Sequence, residues 1–97
     1  MNRQIKQLAI NALFKVINSA PSPNYIAQSD VSDREFINWM NYVFQTLDIT
    51  FNYTGAYIVI STKNMIMQLA NNNIPYGNRI DQIKGQLHSL IQMMLQY

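Results

Sequence analysis

From Ser32 to Tyr53 the chain holds one helical phase without interruption, and this run constrains the fold more than any other feature. At about 100° per residue, Phe36, Met40, Val43, Leu47 and Phe51 gather on one face and Arg34, Asn38, Asn41, Gln45, Asp48 and Asn52 on another. Ser32 and Glu35 form an S-x-x-E capping box at the start, with Val31 and Phe36 in the flanking positions of a hydrophobic staple. The same stretch contains a competing pattern. Ile49 to Tyr53 alternates in character, and with Gly55 and the apolar run from Tyr57 to Ile60 it offers a β-hairpin over 49–60. A helix accounts for every residue from 33 to 53, whereas a hairpin accounts only for the last few. The helix is therefore the expectation.

Three breaks divide the chain: residues 20–30 with two prolines, Thr54-Gly55, and residues 71–78 with Pro75 and Gly77. They leave four helical segments, near 2–18, 32–53, 56–72 and 77–96. In the first, Ile5, Leu8, Ala9, Ala12, Leu13, Val16 and Ile17 make a wide apolar stripe, flanked by Ile10 and Phe14. A stripe that wide needs two partners, either two helices of its own chain or another subunit. In the third, Tyr57, Ser61, Asn64, Gln68 and Asn71 form a narrow polar arc against a broad apolar remainder, so most of this helix should be buried, with Lys63 carried out to water on its long stem. The fourth sets Ile80, Ile83, Leu87, Leu90, Ile91 and Met94 inward, with Asn78 as its cap and Asp81 in its first turn. The short links make the last three helices antiparallel neighbours. The expected architecture is a single all-α domain over 1–97, a small four-helix bundle with the first helix packed across the others or exchanged between subunits.

The 97 residues include no cysteine, so packing without disulfides or thiolate metal sites must hold the fold, as suits a cytoplasmic location. No apolar run is long enough to cross a bilayer, and no membrane partner is expected. The N-terminus imitates a secretory signal, with Arg3 and Lys6 ahead of Leu8 to Ile17 and a small pair at Ser19 and Ala20. However, Asn11 and Lys15 interrupt the apolar stretch, and Pro21 sits where cleavage would fall. The abundance of Asn, Ile, Gln and Tyr with little Gly is the bias of AT-rich bacterial genomes and their phages.

Catalysis needs convergent groups, and His88 is the only side chain whose ordinary titration range lies near neutrality. Asp81, its nearest acidic neighbour on that helix, is seven residues away, about 10 Å along the axis and out of hydrogen-bonding reach. One histidine with scattered carboxylates makes no metal-ligand spacing, and Gly55, Gly77 and Gly85 stand too far apart to cradle a phosphate. The sequence thus leads to a non-enzymatic protein without catalytic residues, metal or cofactor.

What remains is surface chemistry. The net charge of +2 is uneven, because Arg3, Lys6 and Lys15 all precede the first acidic residue, Asp30. Trp39 and Tyr42 lie beside the apolar stripe of the second helix rather than at its centre, where interfaces favour rigid amphipathic rings. Arg3, Lys6, Lys15, Trp39 and Tyr42 are accordingly the expected partner-binding residues. The expected function is a small regulator or inhibitor that binds another protein, phage or mobile-element encoded. The alternative is a protein that binds nucleic acid or a nucleotide-like ligand through the N-terminal cations, and the wide apolar stripes add a homodimer or higher homo-oligomer as a self-association state.

Overall fold

The computed structural model describes residues 3–22 and 31–96, and these form four α-helices with no strand among them. They are α1 (Arg3–Asn18), α2 (Asp33–Thr54), α3 (Tyr57–Ala70) and α4 (Tyr76–Leu95). Most of the long break expected at 20–30 lies outside the described residues, as does Asn2.

Ser32 starts α2 as expected. Its backbone is extended and its hydroxyl accepts the Glu35 N–H at 3.2 Å, which forms half of the capping box. At the other end the chain stays helical to Thr54, so residues 49–54 belong to α2 and no hairpin forms. Gly55 decides this outcome. It adopts φ 62° and ψ 14°, and its N–H donates to the Phe51 carbonyl at 2.7 Å, closing the helix in the left-handed conformation that glycine adopts without a Cβ clash. Thr54 reinforces the turn: its hydroxyl donates to the Thr50 carbonyl at 2.8 Å and accepts the Ala56 N–H at 3.2 Å. A Cβ at Gly55 would meet no neighbouring atom, so the cost of Gly55→Ala is conformational alone. We expect a loss of about 1–2 kcal/mol in denaturant unfolding.

The start of α4 differs from expectation. Pro75, in extended conformation, is the N-cap, and its carbonyl accepts the Arg79 N–H at 3.1 Å. Asn78 therefore lies within the first turn rather than at the cap, and Asp81 lies beyond that turn. Proline is favoured at such a boundary because it has no N–H to leave unpaired and disfavours a helical residue before it.

Contacts between helix ends fix the topology. Phe36, at the start of α2, stacks on Tyr76, at the start of α4, with ring centroids 4.6 Å apart. These two helices therefore run parallel, and α3, joined to both by short turns, runs antiparallel to them. Near its end α1 meets Trp39 through Val16, while Phe14 meets His88 further along α4. This makes α1 antiparallel to α2. Both α1 and α3 pack on α2 and α4, so each occupies a corner of the bundle. Two partners of the wide stripe of α1 are thus helices of its own chain, although Leu8, which belongs to that stripe, remains 65% exposed.

All four helices supply the core: Leu13 and Val16, Val43 and Leu47, Val59 and Ile66, and Ile83, Leu87, Leu90 and Met94 are fully buried. The expectation for α3 fails here. Only Val59, Thr62 and Ile66 are buried in it, and Met65 and Met67 remain 46% and 45% exposed. A corner helix with two neighbours covers one stripe, whatever its composition. Lys63 does reach the surface, where its ammonium donates to the Asp48 carboxylate at 2.7 Å, a half-exposed pair of small energetic weight.

One buried group is unsatisfied. The Thr50 hydroxyl, buried about one turn before the end of α2, has no hydrogen-bond partner among the described residues. Valine has nearly the same shape and helix propensity without the hydroxyl. Thr50→Val is expected to raise stability by about 1 kcal/mol, read as a higher denaturation midpoint at unchanged slope.

Candidate interaction surface

The five residues expected to bind a partner do not form one surface. Arg3 and Lys15 stand at opposite ends of α1, about 18 Å apart along its axis, and Lys15 projects about 180° around the helix from Lys6. Arg3 and Lys15 are exposed, and Lys6 is half-buried. The three cations are therefore dispersed along and around α1 rather than gathered in one patch.

Trp39 belongs to the core. Only 4% of it is exposed, and its indole N–H donates to the Val16 carbonyl at 2.9 Å, with both groups buried. Val16 lies in the last turn of α1, where carbonyls lack intrahelical partners, so Trp39 and the Ser19 hydroxyl, also 2.9 Å from that oxygen, together cap α1. Position beside the apolar stripe did place Trp39 at a boundary, but that boundary is the α1–α2 seam rather than the solvent. Tyr42 is half-buried against the core. With Ser19, Pro21, Glu35, Asn38 and the edge of Trp39 it lines an open cleft of about 330 Å³.

Exposed apolar side chains occur on all four helices, and those of α3 border two clefts. On its α2 side, Leu47, Phe51, Val59, Ile60 and Met67 line a cleft of about 330 Å³, with Asp48, Lys63 and Asn64 completing its wall. On its α4 side, Ile58, Met65 and Met93 line a second cleft of about 200 Å³ with Ser61, Thr62 and Gln86. Between the clefts runs the polar arc anticipated from the sequence: Tyr57, Ser61, Asn64, Gln68 and Asn71 are all exposed. Tyr57 and Tyr53, at the α2–α3 turn, are 74% and 62% exposed, the large aromatic area that was expected of Trp39.

This end of the bundle had a signal in the sequence. No Asp, Glu, Lys or Arg occurs between Asp48 and Lys63, and none follows Lys84. The fold brings those two uncharged stretches together, because α2 and α4 finish where α3 begins.

His88 is exposed, its ring edge-on to Phe14 at 6.2 Å between centroids. Among the described residues, no three His, Cys, Asp or Glu side chains could hold a metal ion. We expect His88→Ala to leave biological activity within about twofold of wild type and to cost up to about 1 kcal/mol through the lost ring contact. Loss of activity in a folded His88 variant would show that the imidazole serves the function directly and is not only a boundary residue packed on Phe14.

Compared with models of known protein families, with curated proteins and with solved structures, the chain has no match.

Proposed function

We propose that this chain is a non-enzymatic interaction module, a small regulator or inhibitor of the kind phages and mobile elements encode, which works in the cytoplasm by covering a surface on another protein. The observation that carries this reading is the pair of apolar clefts flanking α3, where Met65, Met67 and Met93 are exposed, together with the exposed rings of Tyr53 and Tyr57 at the α2–α3 turn. Methionine is unbranched and polarisable, and surfaces rich in it adapt to apolar partners. Exposed tyrosine adds rigid area with a polar tip at low entropic cost. Apolar clefts rimmed by polar residues in this way are a feature of binding surfaces.

The test is site-specific photocrosslinking in the native host. A photoreactive residue at Met67, beside the α2–α3 cleft, should give a discrete protein adduct. The same group at Arg34, an exposed position at the start of α2, should give none. Adducts to nucleic acid, or to a second copy alone, would contradict the proposal.

A further inference from the structure

Resting on that protein-binding reading, we infer that the end of the bundle where α2 and α4 finish and α3 begins docks an acidic amphipathic helix of the partner. Leu8, Ile49, Tyr53, Tyr57, Met93 and Leu95 expose large apolar side chains there. Leu8 belongs to this end because α1 runs antiparallel to α2, which sets the start of α1 beside the finish of α2. Arg3 is about 20 Å along α1 from Val16, so its guanidinium sits at the same end, and Lys6 adds a second cation close by. Among the described residues the carboxylate nearest this end is Asp48, level with Leu8 and paired with Lys63, while Asp81 lies near the start of α4, so Arg3 and Lys6 leave this end net positive. The opposite end differs sharply: Asp33, Arg34, Glu35, Arg79 and Asp81 mix both signs.

Charge complementarity chooses the occupant. Two copies meeting through this end would bring like charges together beside apolar groups, which disfavours a symmetric dimer here. A partner helix with an apolar stripe and a flank of Asp or Glu satisfies both features. The bundle is about 22 × 20 Å in cross-section, and a helix of about 15 residues spans that width. The cleft lined by Ile58, Met65 and Met93 opens on the α3–α4 seam and would receive one of its apolar side chains, as in helix-in-groove recognition.

The experiment uses two synthetic amphipathic helices with an identical apolar stripe, one with Glu and one with Lys on its polar face. At low salt the Glu peptide should bind at least about tenfold tighter to the full chain. Amide shifts should concentrate in residues 49–58 and 91–96. Tyr57→Glu and Leu8→Glu should each weaken binding at least about tenfold, whereas Arg34→Glu, at the opposite end, should leave it unchanged. Both apolar positions are exposed, and a carboxylate at position 57 suits the first turn of α3, so circular dichroism should show intact folds. Equal affinity for the two peptides, shifts centred elsewhere, or resistance to Tyr57→Glu would overturn the assignment. So would a Tyr57-dependent dimer without peptide, or Tyr57-dependent binding to phosphatidylglycerol vesicles in preference to the Glu peptide. If the peptides fail while the Met67 crosslink to a protein persists, this docking site falls and the interaction-module proposal stands.

Discussion

Trp39→Ala is expected to lower stability by about 3–5 kcal/mol, a large part of what a domain of this size possesses. The indole fills the seam between α1 and α2, and its N–H reaches a carbonyl 23 positions earlier in the chain. Truncation therefore opens a cavity and loosens the end of α1 at once. Trp39→Phe separates the two effects. It keeps most of the ring volume, and the Val16 carbonyl retains the Ser19 hydroxyl, so no buried acceptor is left bare. We expect a cost of about 1–2 kcal/mol, comparable to one hydrogen bond and a small void. Chemical denaturation followed by circular dichroism measures both. If Trp39→Ala unfolded at the wild-type midpoint while weakening partner binding, Trp39 would be a surface anchor and the α1–α2 packing described here would be wrong.

The second large effect belongs to Arg79. Its guanidinium donates to the Ile74 carbonyl at 2.7 Å and to the Ala70 carbonyl at 3.0 Å, closing the end of α3 and the turn that follows. The same group lies 4.6 Å from the Tyr76 ring centroid and 5.6 Å from that of Phe36. One side chain thus joins the end of α3 to the starts of α2 and α4. We expect Arg79→Ala to cost about 2–3 kcal/mol, from two charge-assisted hydrogen bonds and the cation–π contacts together. Arg79→Lys should recover less than half of this, because an ammonium is a compact charge that cannot offer a planar fork to two carbonyls while stacking on rings. Full recovery by lysine would reduce the role of Arg79 to its charge.

The helices were legible because their phases are long and their stops are chemical. Ser32 and Gly55 bound α2 through local hydrogen bonding and backbone conformation, both written in neighbouring residues. The start of α4 was harder to read. Asn78 and Pro75 both carry boundary signals, and the contacts of Arg79 with residues 70, 74 and 36 lie outside any local pattern. Burial of α3 was overestimated for a geometric reason: its composition would suit a helix with more neighbours than a corner of a four-helix bundle provides. Trp39 misled because an edge position on one helix faces solvent or a neighbour according to where the neighbour sits. Two uncharged stretches, 49–62 and 85–97, were present in the sequence, and only the fold shows that they adjoin.

The most direct test of the central claim, recognition of another protein through apolar surface, is calorimetric titration with the crosslinked partner over a range of temperatures. We expect a clearly negative heat-capacity change, as burial of apolar area requires, and only a shallow dependence of affinity on salt. A heat-capacity change near zero together with a steep logarithmic loss of affinity with salt would instead indicate binding through Arg3, Lys6 and Lys15 to a polyanion, and would contradict the account.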